Sequence, residues 1–258
     1  MNTLAYNHLQ LRELFHLEFL RRLALKLKPG QYILKGGVNM RFFFGSPRYS
    51  EDMDLDANGV GVQILRDMVM TILTAPSLRE TLASFGVKGI IAPDIAKAKQ
   101  TETTQRFKIH LSTSADEDLF TKIEFSRRGI KGGVKVETVR AEIMRTLRLP
   151  PLMCPHYGAE AAMLQKIDAI AGRSATQARD IFDLYLLNSQ ASLPKKRVGP
   201  DGTDALKKAL SNIYAIDFRQ FKDTVLSYLP QEERGPYDNA GQWDEIRLIA
   251  SRCIEELL

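Results

Sequence analysis

Lys35-Gly36-Gly37-Val38-Asn39-Met40-Arg41-Phe42-Phe43-Phe44-Gly45-Ser46-Pro47-Arg48-Tyr49-Ser50-Glu51-Asp52-Met53-Asp54-Leu55-Asp56 is the stretch on which the reading of this chain turns. A glycine pair follows the apolar run Tyr32-Ile33-Leu34, a helix-like segment comes next, and then two acids flank one apolar residue. In a strand, residues i and i+2 point to the same face. Asp52 and Asp54 therefore present paired carboxylates on one side while Met53 and Leu55 enter the core. Like charges that close repel, and a bound cation offsets the repulsion. Hard oxygen ligands suit Mg²⁺. The glycine pair suits the other half of such a site, because it lets backbone N–H groups approach an anion at a helix N-terminus. Taken alone, acids alternating with apolar residues also fit the wet face of a sheet. The upstream glycines favour the paired site.

Outward from this stretch, Leu9 to Leu27 has the period of a helix, ended by Pro29-Gly30. Gln31 to Lys35 reads as a strand, Val38 to Phe44 as a helix and Asp52 to Asp56 as the acidic strand. Val62 to Phe85 is a long helix broken at Pro76, and Lys88 to Ala92 a short strand. Gln105–Leu111 and Phe120–Arg127 alternate strictly about a polar run, which predicts a hairpin. In its second strand Lys122, Glu124 and Ser126 share one face. Leu147 to Pro155, with three prolines, reads as an interdomain linker. Beyond it the chain turns helical, over 159–170, 175–187, 201–211, 219–229 and 243–258, with Pro/Gly segments near 194–203 and 230–241. The predicted fold is α+β (α/β), with an α/β domain over 1–150 and a helical domain over 151–258.

A second constellation lies in the helical part. Lys166 and Arg173, seven apart, share a helical face in Ala159–Arg173. Asp180 and Asp183 share a face in Ala178-Arg179-Asp180-Ile181-Phe182-Asp183-Leu184, where Arg179 and Asp183 can pair at i,i+4. The bland alternative is a surface lattice of salt bridges. Four histidines without ligand spacing argue against zinc, and no Walker loop, G-x-S-x-G or dinucleotide fingerprint occurs.

The glycine pair with its acid-x-acid strand resembles the nucleotidyltransferase fold of the DNA-polymerase-β superfamily. The fuller pattern, Gly36-Gly37 with Arg41 and then Arg48 to Leu55, followed by Lys166 and Arg179-Asp180-x-x-Asp183-Leu184, is similar to its nucleotidyltransferase toxin branch, from type IV (abortive-infection) toxin–antitoxin systems. The 14 residues between Gly37 and Asp52 exceed the usual superfamily spacing. The resemblance implies transfer of an NMP from an NTP with two Mg²⁺ ions. Asp52 and Asp54 would hold the metals. Glu124, on a neighbouring strand, would complete the cluster and help deprotonate the acceptor; a solvated strand glutamate is the alternative. Gly36, Gly37 and Ser50 would bind the triphosphate, Lys166 would offset its charge, and Asp180 would orient Lys166 or the incoming base. The implied acceptor is the tRNA 3′ end, and the implied protein partner an antitoxin encoded nearby. A small-molecule nucleotidyltransferase and a silent nucleotide-binding module are the rival readings.

Composition agrees with a cytoplasmic protein. At 258 residues and 44% apolar content the chain can bury a core, and two distant cysteines suggest no disulfide framework. No apolar run nears the ~20 residues of a membrane span, and the N-terminus lacks the layout of a signal peptide. Net charge is +5. From Ile95 to Pro150 stand twelve Lys/Arg against seven Asp/Glu, Arg127 and Arg128 among them. That segment either attracts a polyanion such as RNA or is simply a solvated basic surface.

Overall fold

The computed structural model describes residues 6–191 and 200–258. The chain forms two compact units, one of Met1–Phe43 and Tyr49–Tyr157, the other of Phe44–Arg48 and Gly158–Leu258.

The first unit runs α1 (His8–Ala24), β1 (Tyr32–Lys35), α2 (Gly36–Phe43), β2 (Met53–Ala57), α3 (Val62–Thr74), α4 (Pro76–Ala83), β3 (Val87–Ile91), β4 (Thr104–Thr113), β5 (Asp118–Ser126), β6 (Val134–Thr138), α5 (Ala141–Thr146) and β7 (Met153–Tyr157). Its seven strands make one mixed sheet in the order β3-β4-β5-β2-β1-β7-β6. β2 runs parallel to β5 and antiparallel to β1, while β1 runs parallel to β7.

α1 starts where a capping box of Asn7 and Gln10 satisfies its first free N–H groups. Leu14, Phe15, Leu17, Phe19 and Leu20 are fully buried, each worth about 1.5–3 kcal/mol of transfer free energy. The polar groups carried inside with them are paired. Arg41 donates to Glu13 at 2.7 Å, and His16 Nε2 lies 2.9 Å from Thr121 Oγ1. Burial, with Arg12 adding to it, holds the His16 pKa down at about 3, so this histidine is neutral. The predicted break in the long helix falls at Pro76, which opens α4 after an extended Ala75. The predicted hairpin is β4–β5, in register from Thr104 with Ser126 to Ser112 with Asp118. Phe107, Ile109, Leu111, Ile123 and Phe125 face the core.

The linker expected over Leu147–Pro155 is not one. Its second half enters β7, which pairs with β6 from Val134–Tyr157 to Thr138–Met153. Prolines normally leave sheets because they cannot donate to the ladder. Pro155 is tolerated where the ladder to β1 is short, at Leu34 with His156.

In the second unit, α6 (Ala159–Gly172), α7 (Ala178–Asn188), α8 (Pro200–Tyr214), α9 (Phe218–Thr224) and α10 (Ala240–Glu255) pack around buried aromatic residues. Phe221 stacks on Trp243 with ring centroids 4.4 Å apart, and Trp243 Nε1 donates to the Ile216 carbonyl at 3.1 Å. Of the Pro/Gly segment expected near 194–203, residues 194–199 lie outside the described residues. The one near 230–241 folds largely as two short 3₁₀ turns, Gln231–Glu233 and Gly235–Tyr237. Among the described residues no helix is long and apolar enough to cross a membrane.

Candidate active site

In the first unit the glycine pair and the acids meet. β1 passes into α2 without a loop, and Gly36 makes the turn at φ +71°. A Cβ at Gly36 would lie 2.8 Å from Asp54 Oδ2. Only glycine suits both the left-handed backbone and that close approach. Gly37 follows within the first turn of α2.

Sheet register then lines up the charges. Lys35 is opposite Asp54, Asp54 opposite Glu124, and Glu124 opposite Arg106, so one row across β1, β2, β5 and β4 reads base, acid, acid, base. Arg106 Nε donates to Glu124 Oε2 at 2.7 Å. Lys122 Nζ lies 3.1 Å from Asp52 Oδ2 and 3.9 Å from Glu124 Oε2. Lys35 turns instead to Asp56, at 2.5 Å, and the Tyr157 hydroxyl donates to the same carboxylate. Ser50 Oγ donates to the Asp52 carbonyl at 2.8 Å, shaping the turn into β2.

These cations do not fully offset the acids. Burial raises the pKa of Asp54; Lys122 and Lys35 pull it back, Glu124 and Asp52 push it further up, and the net shift is upward. A cluster that resists ionisation at one member favours an added cation. The donor chemistry fits Mg²⁺: three carboxylates, from β2, the residue before it and the adjacent strand β5, on one face. In the conformation described, no three acid, histidine or cysteine side chains among the described residues are arranged to hold a metal ion. The Lys122 ammonium lies beside both Asp52 and Glu124.

The second unit holds a different charged cluster. Lys166 Nζ lies 3.0 Å from Asp180 Oδ1 and 2.6 Å from Asp183 Oδ2. Arg173 reaches Asp180 Oδ2 at 2.5 Å, and Arg48 Nη2 reaches Asp183 at 3.3 Å. Burial works against the charge on Lys166, yet Asp183 and Asp180 outweigh it and raise its pKa above the ordinary lysine value. Burial likewise opposes the charge on Asp180, and Lys166 and Arg173 overcome it, lowering that pKa. Asp183 pairs with Lys166 and Arg48, and among the described residues no Arg179–Asp183 bridge forms.

The residues singled out from sequence thus gather in two places. Gly36, Gly37, Ser50, Asp52, Asp54 and Glu124 stand together in the first unit, and Lys166, Asp180 and Asp183 in the second. The surface lattice is corrected to a buried cluster, since Lys166 is 9% exposed and both acids less. Lys122, Arg106 and Lys35 join the first place and Arg48 the second, none of them a candidate site residue from the sequence. The alternation of β5 had put Lys122 on the face of Glu124, but its reach to Asp52 depends on the β2–β5 pairing, which no local pattern reveals. Arg127, part of the basic segment, donates to Gln105 Oε1 at 3.1 Å and to the Val60 carbonyl at 2.5 Å, a structural engagement.

Comparison with known proteins gives a consistent picture. The family model described as "Nucleotidyl transferase AbiEii toxin, Type IV TA system" matches residues 18–246. Among solved structures, MenT4, a nucleotidyltransferase toxin from Mycobacterium tuberculosis H37Rv, is similar with a TM-score of 0.61 at 14% identity, over 97% of this chain and 84% of that one. JHP933 from Helicobacter pylori is similar with a TM-score of 0.54 at 20% identity, over 98% of this chain and 92% of that one. At such identities the likeness to both structures concerns the fold. A search of the curated proteins finds no match.

Proposed function

Since the chain belongs to the AbiEii family of nucleotidyltransferase toxins of type IV toxin–antitoxin systems, we propose that it moves a nucleoside monophosphate from an NTP to the 3′ end of an RNA, with tRNA as the acceptor. The observation that carries this reading is the close approach of Asp54 to the Gly36 turn, where a Cβ would not fit, with Asp54 in register with Glu124. It joins an anion-approaching turn to a carboxylate cluster within one sheet.

Asp52, Asp54 and Glu124 would hold Mg²⁺, which when bound neutralises developing charge on the phosphoryl oxygens and lowers the barrier to in-line displacement. The Gly36–Gly37 turn leaves the backbone open to the triphosphate, and Ser50 fixes the approach of Asp52. Glu124, which accepts from Arg106, would take the proton of the acceptor hydroxyl through its other oxygen. Lys166, kept charged by Asp180 and Asp183, is proposed to offset triphosphate charge. A cytoplasmic toxin that blocks RNA function, restrained by an antitoxin encoded nearby, completes the proposal.

The test is incubation with total RNA, Mg²⁺ and each labelled NTP in turn. A labelled band of tRNA size, lost with Asp54→Asn, supports the reading. Labelling of a small aminoglycoside-like acceptor and of no RNA contradicts it, and so does nucleotide binding without turnover.

A further inference from the structure

The face of the sheet that presents Asp52, Asp54 and Glu124 continues across β5, β4 and β3 with exposed apolar, aromatic and basic side chains. Phe120 stands within β5 yet is 64% exposed, and Ile91 in β3 is 56% exposed. Between them His110 is in register with both. The Phe120 and His110 rings stack, with centroids 4.7 Å apart and planes at 24°. One step along, Lys108 is directly opposite Lys122, a like-charge pairing that weakens a sheet by itself. These five side chains line a cleft of about 540 Å³ that also includes Asp52. Its other acids are engaged: Glu51 lies 4.0 Å from Arg12, while Asp94 accepts from the Ala96 N–H and pairs with Lys97 at 3.5 Å.

Resting on the RNA-transfer reading above, we propose that this cleft seats the unpaired terminal nucleotides of the acceptor RNA, with a base on the Phe120–His110 ring pair and phosphate on Lys108 and Lys122. An exposed aromatic surface beside lysines in a groove is the pattern by which proteins hold single strands, stacking on the base and tracking the backbone charge. Sheet order decides for acceptor over NTP. Gly36 lies on the β1 side of the acids and the cleft on the β5–β4–β3 side. In-line transfer places nucleophile and leaving group on opposite sides of the phosphate. With the triphosphate at Gly36, the acceptor arrives from the cleft.

The experiment compares wild type with Phe120→Ala, Phe120→Trp and Lys108→Gln. Transfer to a tRNA fraction gives KM for RNA and for NTP separately, and anisotropy of a short labelled single-stranded RNA gives binding without turnover. Phe120→Ala should weaken RNA by roughly 5- to 150-fold, the worth of one stacked base, and leave the NTP KM within about twofold. Phe120→Trp should restore RNA binding. Lys108→Gln should make the salt dependence of binding shallower by about 0.7 in log–log slope. A raised NTP KM with unchanged RNA binding would overturn the proposal in favour of a base pocket for NTP, and unchanged values for both would overturn it outright. If wild type labels no RNA, the transfer reading fails, while the binding titration still decides whether the cleft takes single strands. Phe120 is exposed and its removal spares the core, which matched melting temperatures would check.

Discussion

Two clusters of carboxylates and cations sit in this chain, one in each unit, and they behave in opposite ways. In the first, Asp54 stands beside Glu124 and behind Asp52, and burial holds its pKa up despite Lys122 and Lys35. In the second, Asp180 is more buried still, yet Lys166 and Arg173 bring its pKa down. The same residue type is left wanting a cation in one place and supplied with cations in the other. Burial does not account for the difference; the direct ion pairs do. Lys166 touches both acids of its cluster, whereas Lys35 turns away from Asp54 toward Asp56. In the second cluster both acids are directly paired with cations.

The largest effect expected from this contrast is on stability, in the second unit. Lys166→Met leaves Asp180 and Asp183 buried beside fewer cations, and breaking a buried pair from one side costs about 3–5 kcal/mol. Denaturant unfolding would measure it. Loss of stability below about 1 kcal/mol would erase the contrast.

In the first unit the same kind of change should strike activity and spare the fold. Asp54→Asn should lower nucleotide transfer by more than about 100-fold, since a metal ligand counts for at least as much as the outer partners that support one. Its melting temperature should hold or rise, because a buried charge among like charges is removed. Steady-state transfer and calorimetry on one preparation would check both.

The pH dependence sharpens the comparison further. A carboxylate with a lowered folded pKa contributes stability that is fully present above its unfolded value, about 3.9, and is lost as pH falls through the folded value. Asp180 is such a group. Asp180→Asn should therefore flatten the decline of stability below about pH 4, measured by unfolding at stepped pH. An unchanged acid limb would remove Asp180 from the account. The smallest effect concerns Lys122, which lies beside both Asp52 and Glu124. Lys122→Met should tighten Mg²⁺ binding by about tenfold, equivalent to ~1.4 kcal/mol, read by calorimetric titration; weaker binding would mean that Lys122 supports the ion rather than competing with it.

Much of this was legible in the sequence because it is local. The alternation of Gln105–Leu111 and Phe120–Arg127 specified the hairpin, Pro76 the helix break, and Gly36-Gly37 with Asp52-Met53-Asp54 the turn and the acidic strand. What escaped depends on partners far along the chain or on absent patterning. β6 buries none of its five residues, so it shows no core-facing alternation, and Pro150, Pro151 and Pro155 imitated a linker where β7 forms. The burial of the Lys166 cluster is not legible locally, because its acids lie on another helix and Arg48 stands 135 positions from Asp183. Glu124 was half legible: its face followed from alternation, its neighbour Asp54 only from the parallel pairing of β2 with β5.

The central proposal, that Asp52, Asp54 and Glu124 hold Mg²⁺, is tested most directly by calorimetric titration of Mg²⁺ into wild type and Asp54→Asn at equal concentration and pH. Saturable binding by wild type that is lost in Asp54→Asn, with both proteins folded, is the result predicted. Equal binding by the two would contradict it.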